Sequence, residues 1–242
     1  MPAEQSESLI LRTFPFGEQD KLAVFFTRDK GVLRGVAKGA RKFANRFGSS
    51  LEPMSLVKVF YHEKERRDLV TVTGADLQES FFDIQKDPET ACILCYFAEL
   101  VEEFSPSRAG DNLLFRLLLS VLRAAKNGGD GDFLTLYFET WILRINGFLP
   151  DLTRCKACRK QIGAGRLSAG RDGVFCGSCA PHRTESVDGG LSEIVGWILK
   201  NPPGDRPPDF PAGRREDLRR TLRALIAFHL EREPRSWRYL KT

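Results

Sequence analysis

Two short cysteine pairs constrain this chain more than any other feature. They are Cys155-Lys156-Ala157-Cys158 and, seventeen residues on, Cys176-Gly177-Ser178-Cys179. Two Cys-x-x-Cys pairs about 15–20 residues apart have the spacing of a structural zinc site. Each pair can turn tightly enough to aim both sulfurs at one point, and two such turns complete a tetrahedron around Zn²⁺. Ala157, Gly177 and Ser178 are small or polar enough to suit those turns. Four thiolates leave no coordination position for water or substrate. One structural zinc is therefore expected, held by Cys155, Cys158, Cys176 and Cys179, rather than a catalytic ion. Two disulfides or four free thiols are the alternative. Disulfides need an oxidising compartment, and nothing in the sequence points to one. Cys92 and Cys95 share the local spacing but lie in the apolar run Ala91-Cys92-Ile93-Leu94-Cys95-Tyr96-Phe97. There they read as small buried hydrophobes on a helix.

A clamp of this size folds or orients something larger. The chain has 242 residues, 42% hydrophobic and 29% charged, which is ordinary for a soluble globular protein of one large domain or two small ones. No signal peptide is visible. The longest apolar run, Leu113 to Leu122, contains Arg116 and is too short to span a bilayer, so no membrane partner is expected. Free cysteines, an expected zinc and no export signal together suggest a reducing cytoplasm. The net charge of +5 is unevenly spread: residues 1–80 carry +2, 81–150 carry −4, 151–190 carry +3 and 191–242 carry +4. Lys30 to Ser50 holds six basic residues and no acid. Local clustering of this kind sets the field at a surface more than the total does.

Residues 7–73 read as five short strands: Glu7–Phe14, Lys21–Thr27, Val32–Ala37, Ser55–His62 and Asp68–Thr73. Gly17 to Asp20, Asp29 to Gly31 and the charged run Glu63 to Arg67 separate them as turns. Five strands with no long helix among them predict a small antiparallel barrel, of the oligonucleotide-binding (OB) type or the SH3-like type. In the third strand Leu33, Gly35 and Ala37 share one face, which suits a narrow interior. That parity turns Arg34 and Lys38 outward. The following loop adds Arg41, Lys42 and Arg46, interleaved with Phe43 and Phe47. Cations that track phosphates beside aromatics that stack on bases are what a single-strand groove requires. Phe43 and Phe47 could equally cover the barrel end as core.

From Asp76 onward the pattern reads as helix. Asp87-Pro88-Glu89 is a helix start, followed by Ile93, Leu94, Phe97, Leu100, Val101 and Phe104 at helical spacing. Asp111–Lys126 and Phe133–Asn146 give two more helices, closed by glycines. All three are apolar around much of their circumference and should pack on one another. After the cysteines come a short helix at Leu191–Lys200 and a proline-rich connector from Asn201 to Gly213. A basic amphipathic helix, Arg214–Glu231, ends the series.

No phosphate-binding glycine loop, nucleophile elbow or zinc-protease helix is present. His62, His182 and His229 stand apart from one another. A nuclease would need clustered carboxylates for Mg²⁺, and the acids here lie mostly on helix surfaces. The expectation is a nucleic-acid-binding protein, and nothing in the sequence points to a catalytic site. An RNA-binding translation or ribosome-assembly factor on the same barrel is the alternative, since OB barrels accept either strand type. A nucleic-acid-processing enzyme is the more distant one.

Several segments together are similar to one known family. They are Leu9 to Arg12, Gly17-Glu18-Gln19-Asp20-Lys21-Leu22, Thr27 to Gly31, Ala37-Lys38-Gly39-Ala40-Arg41-Lys42, Arg46-Phe47-Gly48 and Leu51-Glu52-Pro53. Tyr96 with Glu99-Leu100-Val101, Phe138-Glu139 and Asn146-Gly147-Phe148-Leu149-Pro150 before the cysteines extend the likeness to nearly full length. The chain resembles the bacterial recombination mediator RecO family. The tail Pro234-Arg235-Ser236-Trp237-Arg238 matches the family's basic ending only loosely, and no role is assigned to it. The resemblance implies an α+β protein: a five-stranded OB-type β-barrel over 1–80, a helical domain over 81–153 and 184–242, and a four-cysteine zinc module over 154–183 set into that domain. It also implies a non-enzymatic activity. Such proteins bind single- and double-stranded DNA, anneal complementary strands coated by single-strand binding protein (SSB), and with RecR help load RecA. The C-terminal tail of SSB is the expected partner of the helical domain, and the bacterial cytoplasm, at the nucleoid, the expected location.

Overall fold

Five strands come first: β1 (Glu4–Phe16), β2 (Asp20–Thr27), β3 (Gly31–Ala37), β4 (Leu56–His62) and β5 (Leu69–Glu79). The computed structural model describes residues 4–63, 68–105, 109–181, 186–187 and 189–240. Most of the turn expected at Glu63–Arg67 lies outside the described residues, as does His182. The strands close into a barrel in the order β1-β2-β3-β5-β4, with β1 returning to pair with β4. The β3–β5 pair is parallel and the others antiparallel. This is the connectivity of an OB-type barrel. The long β1 serves two neighbours, pairing through Glu4–Leu9 with β4 and through Ser8–Phe16 with β2. A bulge between Ile10 and Arg12 lets it bend from one partner to the other.

The alternation in β3 is as the parity argument requires: Leu33, Gly35 and Ala37 are buried, Arg34 and Lys38 exposed. Gly35 is fixed by close approach, because a Cβ there would sit 2.7 Å from methyl groups of both Val70 and Val72. Ile10, Phe25, Val57, Tyr61 and Val72 fill the barrel, and Ala40, Phe47 and Leu51 of the β3–β4 loop cover one end.

The chain divides into two compact units. Met1–Lys126 and Arg235–Thr242 form the first. It holds the barrel, α1 (Pro88–Phe104) and α2 (Asn112–Lys126). Asp87 caps α1 by accepting from the Thr90 N–H at 2.8 Å, and Asp111 caps α2 by accepting from Leu114 N–H at 2.9 Å. Two expectations are corrected here. The segment from Asp76 is not yet helical, because β5 runs on to Glu79, paired with the start of β4. The second concerns Cys92 and Cys95, which do lie on α1; Cys95 is exposed and Cys92 half-buried, so they are not core. α1 and α2 also meet the barrel. Phe115 of α2 meets Phe26 of β2 at 5.7 Å between ring centres, and Glu102 of α1 meets Arg12 of β1 at 2.8 Å.

Asn127–Pro234 form the second unit. α3 (Gly131–Ile145), α4 (Leu191–Ile198) and α5 (Ala212–Leu230) pack on one another, with Phe133 edge-on to Trp197 at 5.4 Å. Leu218, Leu222, Leu225 and Ile226 form the buried stripe of α5. Between α3 and α4 the chain makes a small sheet of β6 (Gly165–Leu167), β7 (Val174–Phe175) and β8 (Ser186–Val187), in the order β7-β6-β8. The cysteines lie beside this sheet, Cys155 bridged to Val174 of β7 and Cys176 next after it in the chain.

Candidate nucleic-acid interface and metal centre

The first knuckle is a hairpin turn. Arg154 bridges to Gln161, the Cys155 N–H donates to Lys160 O at 2.9 Å, and the Arg159 N–H donates back to Cys155 O at 2.9 Å. The second repeats the pattern, with Cys179 N–H and Ala180 N–H both donating to Cys176 O. The bridge from Cys155 to Val174 and the bond from Lys156 N–H to Val174 O (2.7 Å) tie the two together. As a result the sulfurs of Cys155, Cys158, Cys176 and Cys179 all lie within 4.8 Å of one another.

The Cys158 and Cys176 sulfurs stand 3.8 Å apart. That is far beyond a disulfide bond of about 2.05 Å. It is the edge of a tetrahedron built on metal–sulfur bonds of about 2.3 Å. Backbone N–H groups of Cys158 and Cys176 aimed at the Cys155 sulfur hold its thiol down to about 6. Hydrogen bonding with Cys176 and Cys158 pushes Cys179 up to about 12. Four crowded sulfurs cannot all ionise unless a cation sits among them, so the donor set fits a metal ion such as zinc.

In the barrel, the loop after β3 is anchored to the β1–β2 turn. Asp20 accepts from the Gly39 N–H at 2.8 Å, and Arg41 donates through its N–H to Gln19 O and through Nη1 to Gly17 O. Asn45 holds the next turn, its Oδ1 accepting from the N–H groups of Phe47 and Gly48, each at 3.0 Å. The five expected site residues fall in two groups on this frame. Lys38, Arg41, Lys42 and Arg46 follow β3 and are exposed. Arg34 is also exposed but lies further back on β3, about 13 Å from Lys38 at strand rise, and is partly engaged by Glu102 of α1 at 3.7 Å. Burial pushes the Glu102 carboxyl up, against Arg12 and Arg34, which pull it down. The two phenylalanines divide: Phe47 is 2% exposed and Phe43 fully exposed. Arg46 stands 5.0 Å over the Phe47 ring.

Sequence reasoning missed Phe16, which lines a hollow on the barrel wall with Val36, Lys38 and Leu69–Thr71. Two aromatics at alternate positions, Phe14 and Phe16, beside a glycine turn were the available signal. Both are nearly half exposed. The arginines of α5 are a poorer surface than their number suggests. Arg214, Arg215, Arg219 and Arg220 face Glu193, Asp130, Asp132 and Asp217 respectively.

The first unit also holds a cavity of about 510 Å³. Leu11, Met54, Leu94, Cys95 and Tyr239 line it, with Arg12, Arg235 and Arg238 among its polar groups. Among the described residues no helix is long and apolar enough to cross a membrane.

Barrel, basic loop and four-cysteine module define a class: OB-barrel proteins joined to a helical part with a four-cysteine knuckle pair that could hold a metal ion. Family models for the N-terminal and C-terminal parts of recombination protein O match residues 1–81 and 85–238. A DNA repair protein RecO from Koribacter versatilis (strain Ellin345) is 33% identical over 232 residues, 95% of each chain. The DNA repair protein RecO of Desulfatibacillum aliphaticivorans is 29% identical over 100% of this chain and 97% of its own. That of Anaeromyxobacter sp. (strain K) is 28% identical over 96% and 93%. The chain belongs to the RecO family.

Proposed function

We propose that the protein is a DNA repair and recombination mediator with no catalytic residues of its own. It binds single- and double-stranded DNA, anneals complementary SSB-coated strands, and with RecR helps load RecA. Its principal single-strand site is formed by Arg34, Lys38, Arg41, Lys42 and Arg46. The observation that carries this reading is the β3–β4 loop of an OB-type barrel in this family. There a fully exposed Phe43 shares the loop with exposed Lys38, Arg41, Lys42 and Arg46, none of which has an ion-pair partner among the described residues. Cations neutralise the phosphates of each strand, and Phe43 supplies a face on which a base can stack. Neutralisation lowers the repulsion between two strands brought together, which is the physical content of annealing.

One zinc held by Cys155, Cys158, Cys176 and Cys179 would act as a cross-link between the two knuckles. In this reading 1–80 are the DNA-binding barrel, 81–153 with 184–242 the helical domain, and 154–183 the metal module. The site of action is the bacterial nucleoid. The acidic, apolar C-terminal tail of SSB would dock beside α1. The cavity there combines an apolar lining with Arg235 and Arg238, Arg12 being paired with Glu102, and an apolar groove with basic groups at its edge is the chemistry such a tail needs.

The test is annealing of complementary SSB-coated oligonucleotides without nucleotide triphosphate. The protein should accelerate it severalfold over the spontaneous rate and should bind single-stranded DNA in preference to structured RNA. Preferential RNA binding with no annealing would contradict the reading.

A further inference from the structure

Many cations of this chain are spent on acids, as in α5. The first cysteine knuckle differs. Arg154, Arg159 and Lys160 are exposed, and among the described residues none of them has an ion-pair partner. The acid of the same segment, Asp151, is engaged by Thr153, accepting from its N–H at 2.8 Å and its hydroxyl at 2.6 Å. Arg159 adds a weaker pull on that carboxyl. The hairpin geometry puts the three cations on the arms of one turn, because Arg154 bridges to Gln161 and the Cys155 N–H donates to Lys160 O.

Two features say that the charge is not incidental. Arg159 has φ +60, a left-handed conformation that glycine would adopt without strain. A long cation stands where the backbone alone would favour no side chain, and strain of that kind concentrates at functional positions. The charge also exceeds what the metal centre can use. Residues 151–181 hold six basic and two acidic side chains, and zinc with four thiolates contributes about −2, which leaves the module near +2. No aromatic residue occurs between Arg154 and Gln161, so the turn offers no base a stacking face. Phosphate contacts without stacking suit a duplex, whose bases are already stacked on each other.

We propose that the first cysteine knuckle grips the phosphate backbone of duplex DNA through Arg154, Arg159 and Lys160, as a second contact surface besides the barrel loop. This rests on the DNA-binding reading above.

The test uses the full chain, a short duplex and a single-stranded oligonucleotide, with affinity followed by fluorescence anisotropy over a salt series. The variants are R159G, R154Q/K160Q and the barrel variant R34E/K38E, compared at equal zinc content by elemental analysis. R159G removes the cation and relaxes the turn, so its metal and fold should persist. Each lost duplex contact flattens the log–log salt slope by about 0.9. R159G should lose about 0.9 and R154Q/K160Q about 1.8 on duplex, with the single-strand slope unchanged. Wild-type duplex slopes in both zinc-loaded knuckle variants would overturn the proposal, as would equal flattening on single strands. If those slopes persist while R34E/K38E loses single-strand binding, the knuckle assignment fails and the barrel reading stands. If wild type binds neither DNA saturably, the DNA reading itself fails.

Discussion

Phe43 and Phe47 sit four residues apart in one loop and have opposite environments. Phe47 covers an end of the barrel core, so Phe47→Ala should destabilise by about 3–5 kcal/mol. Phe43 touches solvent, and Phe43→Ala should leave stability within about 0.5 kcal/mol while weakening single-strand binding by about 1–3 kcal/mol. Urea unfolding and anisotropy titration of the same two proteins check both halves; equal effects on stability would contradict the division. Sequence could not assign these roles, because aromatic–cation interleaving is the same whichever ring turns inward. The structure's discriminator is Asn45, whose side chain sets the turn that commits Phe47 to the core. Parity alone did place Arg34 and Lys38 outward, since β3 alternates without a bulge. It could not reveal Glu102, which reaches Arg34 from a helix much later in the chain.

Among the elements, the 3-10 turn Arg235–Tyr239 is held to α1 by the Glu99 carboxylate and by Trp237, edge-on to Tyr96 at 6.4 Å between ring centres. Glu99, 6% exposed, accepts from the N–H groups of Arg235 and Ser236 at 2.8 and 2.9 Å and from the Ser236 hydroxyl at 2.6 Å. Burial raises the Glu99 carboxyl, but these hydrogen bonds outweigh it and hold the group below its ordinary value. A depressed carboxyl contributes stability that is present above the ordinary carboxylate range and is lost as pH falls through the folded value. Glu99→Gln should therefore cost about 2 kcal/mol at neutral pH and flatten the acid limb of the stability curve. Denaturant melts of wild type and variant from neutral pH down to about pH 3 check this, and an unchanged acid limb would contradict it. Helix starts were legible because their signals are local: Asp87 and Asp111 cap where they stand in sequence. The docking of the last turn was not legible, because its partner is 136 residues away. The run of β5 to Glu79 was hidden for a related reason. Asp76, Leu77 and Gln78 are all exposed, so no in–out alternation marks them as strand, and pairing with β4 decides the matter.

Across the whole molecule, the basic excess matters only where acids have not consumed it. The arginines of α5 promise more than they deliver, while the loop after β3 keeps its charge. Family and module order were readable because the cysteine spacing and the Ala37 to Lys42 segment are specific. The pairing of surface charges was not, since it depends on which helices lie beside which strands. The central claim is that the barrel loop binds DNA by its phosphates, and the salt dependence of single-strand affinity tests it most directly. Each phosphate contact contributes about −0.7 to the log–log slope. With Arg34 shared with Glu102, about four of the five cations should engage, giving a slope near −3. R34E/K38E should remain folded, because both side chains point away from the barrel interior, and should show a shallower slope, weaker binding and slower annealing. A folded R34E/K38E protein with the wild-type slope, affinity and annealing rate would contradict the account.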